Sequence, residues 1–468
     1  MNLPNDISAC HTIILEQQKL IEQLMSRVKE LEDRLNKDSQ NSNKPPSSDG
    51  LKKPKVQPAF PRKKGKKAGG QPEHKGKTLE LCQTPDHIKS LLPTTCSCGA
   101  TLDESKAEVV EVRQVFDIPE PKLEVTEYQQ LGCTCGKCGI YNKGVFPQCV
   151  KARVQYGIGV RALVVLLNVA FNVPLKKIQS LFGDLYGYAI NTSTILKAVQ
   201  ICYERLEAAE QVIQQKLLSS KVTHFDETGL RVAGKLHWLH TCCNQLFTYL
   251  FVHAKRGKKA LLDAPSLLPQ FKNWAIHDCW SSYFSFTKCL HGLCGAHILR
   301  ELTALIQNDT HWALCFKRYL LTLYHLSDKG NGVLNKAQQQ KALALFDKIC
   351  SYADQAEPPP TKSSSGKGRP KATKGRNLLN RLKEHQSEVL AFAFHKEVPF
   401  TNNQAERDLR PAKTKQKVAG SFRKLEGAKR YARIYGFIST SRKHQFNIFN
   451  ELKSAFKGDT FLTKSSPS

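Results

Sequence analysis

The segment from Lys221 to Asp278 constrains the fold most, because helical periodicity gives way there to short runs rich in β-branched and aromatic residues. We predict strands over 222–226, 237–243, 246–252 and 274–278, with a helix-like stretch over 258–268 between the last two. Three adjacent strands followed by a helix and a fourth strand indicate a ribonuclease-H-like α/β fold. In this interpretation Asp226 ends the first strand and Asp278 ends the fourth.

The two aspartates fall where strand ends can bring them together. If the first and fourth strands are neighbours, Asp226 and Asp278 converge at one sheet edge, and a helix beginning near Asn402 can add Glu406. Without a cation, repulsion between three such carboxylates makes it unfavourable for all of them to be ionised. Oxygen ligands favour Mg²⁺ or Mn²⁺. Two ions would suit phosphodiester chemistry. Taken singly, each residue is weak evidence, since Asp at a strand end is usually a turn or cap residue.

A long segment separates Asp278 from Glu406. We predict that it contains a helical insertion at about 307–395, which covers or guides DNA ends or serves only as a structural lid. Basic residues then follow Glu406, and we interpret them as phosphate contacts, with a solvated helix face as the ordinary alternative. These predicted contacts are Arg407, Arg410, Lys413 and Lys415.

The chain is strongly basic, with 70 Lys and Arg against 41 acidic residues and a net charge of +29 over 468 residues. Because much of this charge is clustered, DNA is the expected partner. No apolar run is long enough to span a bilayer, and the N-terminus lacks a secretory signal pattern. We therefore expect a soluble, cytoplasmic, nucleoid-associated protein of several domains.

The cysteines between 79 and 150 are clustered as Cys96-Ser-Cys98-Gly and Cys133-Thr-Cys135-Gly-Lys-Cys138-Gly. Two Cys-rich turns, each followed by Gly, predict a zinc ribbon that closes around one structural Zn²⁺. We assign Cys96, Cys98, Cys135 and Cys138 as ligands and leave Cys133 as the spare. Buried free cysteines are the less favoured alternative.

Residues 155–215 read as consecutive helices with a turn between Gly183 and Gly187 and a capping residue at Asn191. This pattern predicts a helix-turn-helix DNA-binding region in which Thr192, Ser193 and Lys197 face a groove. Three packed helices without a DNA role fit the spacing equally well.

The N-terminal segment 7–38 carries an apolar stripe that predicts a short coiled coil and homo-oligomerisation, although Gln17 interrupts it and packing on the chain's own body is an alternative. Residues 39–78 are a basic Pro/Lys-rich linker that can lie along a DNA backbone or serve only as a solubilising spacer. We place the catalytic domain at 220–430 and a C-terminal helical extension and tail at 431–468.

Four stretches resemble the core of the insertion-sequence transposases of the sixty-six family. They are His224-Phe-Asp226-Glu-Thr, His277-Asp278-Cys-Trp-Ser-Ser-Tyr283-Phe284, Leu293-Cys294-Gly-Ala-His297-Ile-Leu-Arg300-Glu301-Leu and Thr401-Asn-Asn403-Gln-Ala-Glu406-Arg407-Asp-Leu-Arg410-Pro. Those enzymes also carry a zipper, a Lys/Pro linker, a Cys-rich ribbon and a helix-turn-helix, so the resemblance covers most of the chain.

The resemblance implies that Asp226, Asp278 and Glu406 form a DDE triad for magnesium-dependent cleavage at element ends and joining of the freed 3′-hydroxyls to target DNA. It also implies accessory proteins encoded by the same element. A catalytically inactive DNA-binding or repressor derivative and a nuclease of the same fold are the alternatives.

The chain departs from the family pattern at two places. Many members follow the second aspartate with Gly-Tyr, where this chain has Cys279-Trp280, and many carry Trp inside the Cys-x-x-His signature, where this chain has Gly295. Cys294 and His297 could bind metal, but without two further ligands nearby a structural hydrogen-bonding role is favoured.

Overall fold

The computed structural model describes residues 6–35, 37, 41, 79–91, 96–100, 102, 105, 107–263, 265–360 and 372–464. The chain divides into two units, one of residues 1–60, 150–180 and 190–468, and the other of residues 61–149 and 181–189. Apart from Asn41, the predicted basic linker 39–78 lies outside the described residues, as does most of the Gly/Ser/Lys loop that follows Pro360.

The predicted N-terminal coiled-coil segment is a single helix, α1 (Ile7–Leu35). Its apolar stripe is exposed: Ile14, Ile21 and Leu24 each keep more than half of their surface accessible. This stripe is therefore not covered by the rest of the described chain.

The centre of the first unit is a five-stranded sheet, whose strands we number after the β1–β2 hairpin of the second unit. They are β3 (Val222–Val232), β4 (Lys235–Cys243), β5 (Thr248–His253), β6 (Trp274–His277) and β7 (Leu290–Leu293). The order across the sheet is β5-β4-β3-β6-β7. The β3–β4 and β4–β5 pairs are antiparallel, whereas β6 and β7 run parallel to β3. The four predicted strands are confirmed, and β7 is an additional edge strand.

The prediction that the first strand ends at Asp226 was wrong. The strand β3 continues to Val232 because Ala233 and Gly234, with φ angles of 48° and 76°, form a tight turn into β4. Turns of this left-handed kind match the twist of a two-stranded antiparallel ribbon and allow both strands to extend. Asp226 consequently lies within β3, although it lies beyond the last residue of β3 that pairs with β6.

Helices precede the sheet as predicted. They are α2 (Ile158–Val165), which continues as a π-helical turn over Leu166–Ala170, then α3 (Leu175–Tyr186), α4 (Thr192–Arg205) and α5 (Glu207–Leu218). The start of α4 is fixed by Asn191, whose side chain accepts a hydrogen bond from the Ser193 amide at 2.9 Å. Gly187, with a φ of 71°, follows α3.

One face of the sheet packs against α5 and the segment between β5 and β6. Phe225, Cys242 and Tyr249 from the strands join Ile213 of α5 and Phe271 in one buried cluster. Side chains alternate between the two faces of a strand. Because Phe225 points into this cluster, its neighbours His224 and Asp226 point to the opposite face.

The predicted insertion is helical. The short helix α6 (Lys258–Leu262) and the helix α7 (Gly295–Ile306) precede it. The insertion comprises α8 (His311–Lys329), α9 (Lys336–Ala356), α10 (Lys374–Glu384) and α11 (Gln386–Phe394). The buried side chains of Trp312, Phe316 and Phe346 form the centre of its core, which continues to Ile276 and Leu293 of the sheet. The insertion therefore shares its core with the sheet.

Three helices close the chain: α12 (Asn403–Ala419), α13 (Leu425–Lys443) and α14 (Ile448–Lys457). The helix α12 packs on β3 and β4, and α13 packs on β5. At that contact the Thr248 amide donates to the Thr440 hydroxyl at 3.0 Å. The boundary predicted at 430/431 falls inside α13.

The second unit contains a short antiparallel hairpin of β1 (Gly132–Thr134) and β2 (Tyr141–Lys143). Among the helices that the structure describes, none is both long and apolar enough to cross a bilayer.

Candidate active site

Asp226 and Asp278 lie side by side at the edge where the parallel pairing of β3 and β6 ends. Paired residues on the two strands differ by 52 in number, as in Val222 with Trp274 and His224 with Ile276. Asp226 and Asp278 differ by the same number, so they continue this register on one face of the sheet. The structure thus brings together two of the three predicted carboxylates.

The two aspartates share an electrostatic environment. Burial raises the pKa of Asp226 well above its usual value, and the negative charges of Glu227, Asp278 and Glu406 raise it further. Burial and the charge of Glu227 likewise raise the pKa of Asp278, against the opposing effects of His297 and Arg256. Both carboxyl groups therefore favour either a proton or a nearby cation.

Glu406, the third predicted carboxylate, lies in the first turn of α12 and is paired with Arg300 of α7. Arg300 Nη2 donates to Glu406 Oε1 at 2.9 Å, and His297 Nε2 lies 3.9 Å from the same oxygen. Burial and the charge of Arg300 lower the pKa of His297, which favours its neutral form. Arg300 and His297 therefore hold the Glu406 carboxylate on the α7 side of the site.

Asn402 attaches the start of α12 to β3. Its side-chain oxygen accepts a hydrogen bond from His224 Nδ1 at 2.8 Å, and its side-chain nitrogen donates to the Phe225 carbonyl at 2.8 Å. Its backbone amide donates to Cys294 Sγ at 3.1 Å. Since Asn402 is only 1% exposed, all three contacts are made in the interior. Sequence reasoning treated Asn402 only as part of a cap and missed this connection.

Cys294 and His297 each contact the segment that carries Glu406. The thiol of Cys294 accepts the Asn402 amide, and the backbone amide of Gly295 donates to the Phe400 carbonyl at 2.8 Å. A Cβ atom on Gly295 would lie 2.4 Å from the Phe400 ring. The ring of Phe400 therefore fills the space beside Gly295, the position at which many family members carry Trp.

A fourth carboxylate, Glu227, lies beside the triad and was also missed. Its side chain is 1% exposed and accepts hydrogen bonds from Arg256 Nε at 2.7 Å and from the Tyr283 hydroxyl at 2.6 Å. Glu227 directly follows Asp226, so alternation along β3 directs it to the opposite face. Arg256 and Tyr283 hold its carboxylate on that face, which distinguishes it from Asp226 and Asp278.

The carboxylates fit a hard divalent cation by their chemistry. Asp226, Asp278 and Glu406 supply only oxygen donors, and a cation would relieve the repulsion that raises the pKa of Asp226. Within the described ranges, no three side chains of His, Cys, Asp or Glu are close enough to form a ready-made ligand set. In this structure Glu406 is instead engaged by Arg300.

The predicted DNA contacts on α4 lie at its start. Ser193 and Lys197 are exposed, and Thr192 is half-buried. Asn191 Oδ1 also accepts a hydrogen bond from the Ser193 hydroxyl at 3.0 Å. Lys197 is therefore the most accessible of the three predicted contacts.

The predicted basic contacts on α12 separate into two pairs. Arg407 and Arg410 are exposed, whereas Lys413 and Lys415 are turned inward. Lys413 Nζ donates to the Gly229 carbonyl at 2.6 Å, and Lys415 Nζ donates to the Asn168 carbonyl at 2.9 Å. Burial lowers the pKa of Lys415 to about 8. Periodicity could not separate these pairs, because it does not show which helix face packs on β3.

The predicted zinc ligands occupy two turns of the second unit. Peptide amides are directed at sulfur in both: the amide of Cys98 is the largest cause that lowers the pKa of Cys96, and the amide of Cys138 has the same effect on Cys135. Amides directed at thiolates are what a zinc knuckle requires. The described residues do not bring the four thiols into one cluster.

Comparison with protein families identifies the chain. Residues 153–430 match the model described as the Transposase IS66 family, and residues 93–139 match the zinc-finger binding domain of transposase IS66. Residues 7–80 match a family of unknown function. No curated protein matches the chain. The main match spans the sheet, its insertion and all three carboxylates, and it defines the protein as a transposase.

The chain belongs to the IS66 transposase family. Membership implies a divalent metal, and the zinc-finger match supports a structural zinc ion. Both matched domains also point to DNA as the partner.

Proposed function

We propose that this protein is an active DDE transposase that binds the ends of its element, cleaves DNA strands in a magnesium-dependent reaction and joins the 3′ ends to target DNA. The observation that carries this proposal is that Asp226 on β3 and Asp278 after β6 continue one parallel register, with Glu406 of α12 near enough for its charge to affect Asp226. The charges of Asp278 and Glu406 both raise the pKa of Asp226, which supports their proximity to it.

The order of the sheet supports a ribonuclease-H-like core for this site. Three antiparallel strands are followed by two strands parallel to the central β3. Asp226 lies on β3, and Asp278 directly follows the adjacent strand β6 in the same register. The insertion α8–α11 enters between β7 and α12, and it separates Glu406 from the aspartates in sequence but not in space.

Asp226, Asp278 and Glu406 are the residues that would hold Mg²⁺ or Mn²⁺. We propose two ions, because phosphodiester transfer generally uses a pair. When bound, such ions activate an attacking water or 3′-hydroxyl and stabilise the leaving oxygen. Asn402 and His224 keep Glu406 at the edge of the sheet through their hydrogen bond. Arg300 orients the Glu406 carboxylate.

Surface residues provide the DNA contacts in this proposal. On α4, which acts as the recognition helix of a helix-turn-helix, the contacts are Thr192, Ser193 and Lys197. On α12 they are the exposed Arg407 and Arg410. The inward hydrogen bonds of Lys413 and Lys415 make these two lysines supports of α12.

We further propose that α1 pairs with α1 of a second copy. Its exposed stripe of Ile14, Ile21, Leu24, Val28 and Leu31 supports this, because burial of such a stripe between two helices is the usual source of coiled-coil stability. Cys96, Cys98, Cys135 and Cys138 are the proposed ligands of the structural zinc ion, with Cys133 as the spare.

The decisive experiment is a cleavage and joining assay with DNA that carries the element's own ends, in the presence of the element's accessory proteins. We expect Asp226→Asn, Asp278→Asn and Glu406→Gln each to lower the magnesium-dependent rate by at least about a hundredfold, since a lost metal ligand costs several kcal/mol of transition-state stabilisation. The matched control is Glu397→Gln, an exposed carboxylate outside the site, which should retain the full rate.

The products separate the alternatives. Tight end binding by the wild-type protein without any metal-dependent cleavage would instead indicate an inactive, repressor-like derivative. Cleavage without joining would indicate a nuclease of the same fold. Unchanged activity in Asp226→Asn would remove that residue from the mechanism.

A further inference from the structure

The turn between β5 and α6 carries a concentration of positive charge that the sequence analysis did not single out. Residues 255–259 read Lys-Arg-Gly-Lys-Lys, and the side chains of Lys255, Lys258 and Lys259 are exposed. We call residues 255–259 the basic lip. Exposed lysines alone are ordinary for a surface turn, but one residue of the basic lip is held in place by its neighbours.

Arg256 is that residue. Its guanidinium lies over two indole rings, 5.0 Å from the centre of Trp238 and 4.4 Å from the centre of Trp280. Its Nε donates to Glu227 Oε1 at 2.7 Å, and its Nη2 lies 2.7 Å from the same oxygen. The side chain is nevertheless 40% exposed. Among the described residues its other N–H groups make no further hydrogen bond, so they remain available to a ligand.

The basic lip adjoins the acidic centre through two residues. Glu227, the partner of Arg256, directly follows Asp226 in β3. Trp280, which stacks on Arg256, donates its backbone amide to Asp278 Oδ1 at 3.2 Å. Trp280 therefore contacts the catalytic aspartate through its backbone and the lip arginine through its ring.

Hydrogen bonds with two histidines of the neighbouring strands hold the turn in place. The Lys255 amide donates to His253 Nδ1 at 2.9 Å, while His253 Nε2 lies 2.9 Å from Asp263 Oδ2. His240, stacked on Phe251 with ring centres 4.8 Å apart, brings its Nε2 to 3.4 Å from the Lys255 carbonyl. A braced turn presents its cations without the full entropic cost of ordering a loop.

We propose that the basic lip binds the phosphodiester backbone of the DNA strand that enters the active site, with Arg256 on the phosphate nearest the reacting bond. The inference rests on the proposed function and adds a binding surface to it. Asp226, Asp278 and Glu406 place several negative charges where a polyanion must approach. A fixed guanidinium and three lysines beside that centre offset the repulsion, and the planar fork of Arg256 suits two phosphate oxygens.

The first test measures equilibrium binding of a fluorescent duplex that carries the element's end, without magnesium and at several NaCl concentrations. The variant is Lys258→Ala with Lys259→Ala. The matched control removes the same charge from exposed lysines of the insertion, as Lys329→Ala with Lys336→Ala. We expect the lip variant to bind about tenfold more weakly, and the slope of log K against log [NaCl] to fall by about 1 to 2, because each lost phosphate contact contributes about 0.9.

The second test removes the charge from the DNA instead. A methylphosphonate linkage replaces each phosphate that flanks the element's terminal nucleotide, one at a time. One such substitution should weaken binding by the wild-type protein and by the control but have a smaller effect on the lip variant and on Arg256→Lys. The proposal is overturned if the lip variant and the control give the same affinity and slope, or if every substitution weakens all proteins equally.

A purely structural Arg256 gives a different pattern. Arg256→Lys and Arg256→Ala would then lower the melting temperature while leaving the salt slope unchanged. The outcome is also separable from that of the proposed function. Loss of end binding in the lip variant, with no cleavage by the wild-type protein, would reject the transposase activity and retain the lip. Cleavage that requires Asp226, together with unaltered DNA binding by the lip variant, would support the transposase activity and reject the role of the basic lip.

Discussion

Asn402 and His224 are joined by a buried hydrogen bond of 2.8 Å, from His224 Nδ1 to the Asn402 side-chain oxygen. His224 lies two residues before Asp226 on the same face of β3, and Asn402 immediately precedes α12, which carries Glu406. The bond therefore connects the strand of the first carboxylate to the helix of the third. It makes the geometry of the proposed site depend on residues that need not touch DNA or metal.

We expect Asn402→Ala to lower both stability and activity. The substitution leaves His224 Nδ1 and the Phe225 carbonyl without partners in the interior, which costs about 1–3 kcal/mol for each group. Chemical denaturation measures the loss. Asn403→Ala, at the exposed neighbouring position, is the control and should change stability by less than about 0.5 kcal/mol. Equal effects in the two variants would contradict the anchoring role.

Arg300 is expected to position Glu406. Without its 2.9 Å hydrogen bond, the Glu406 carboxylate is free to adopt other rotamers. Arg300→Ala should therefore raise the magnesium concentration needed for half-maximal cleavage and lower the maximal rate by about tenfold, and Arg300→Lys should recover part of both. A magnesium titration of single-turnover cleavage checks this. A lower magnesium requirement in Arg300→Ala would show instead that Arg300 competes with the metal.

Zinc content distinguishes the proposed ligands from the spare cysteine. Cys135→Ser should lose about one zinc per chain and unfold the region around the β1–β2 hairpin, since structural zinc binding contributes directly to folding. Cys133→Ser is the matched control two residues away and should retain the metal. Elemental analysis and protease sensitivity report the two effects. Zinc loss in Cys133→Ser with retention in Cys135→Ser would reverse the assignment.

The raised pKa of Asp226 predicts a pH-dependent stability of the metal-free protein. An acid whose pKa is higher in the folded than in the unfolded state binds a proton more tightly when folded. The stability that protonated Asp226 contributes therefore declines as the pH rises from 3.8, its ordinary pKa, through the raised pKa of the folded state. Asp226→Asn should remove this decline, and magnesium should reduce it. Melting temperatures between pH 4 and pH 8 measure the effect.

Asp354 provides a contrast of opposite sign. The hydrogen bond from Lys383 lowers the pKa of Asp354 below its ordinary value of 3.8. The ionised carboxylate therefore stabilises the fold at pH values above 3.8, and this contribution is lost as the pH falls through the lowered pKa. Asp354→Asn should therefore reduce stability most at neutral pH. If Asp226→Asn behaved in the same way as Asp354→Asn, the repulsive environment assigned to Asp226 would be wrong.

The order of the elements was predictable from the sequence because it depends on local patterns. Runs of β-branched and aromatic residues marked β3 to β6, and cap and turn residues marked α4. The end of β3 was not predictable in the same way, since the strand passes Asp226 only because Ala233 and Gly234 form a turn and β4 pairs along its full length. The edge strand β7 was missed for a related reason: its four residues are held by pairing with β6.

Local sequence patterns were enough to propose the three carboxylates in their order, to locate the two cysteine turns and to reveal the resemblance to the family. Tertiary structure decided which residues support them. Glu227, Arg256 and Tyr283 meet across long separations in the chain, and no local periodicity encodes such a contact. Folding also placed Lys415 inside and Arg410 outside on one basic helix. The physical reason is the same in each case: burial and partners, which set the charge and accessibility of a side chain, come from distant segments that only the packed fold brings together.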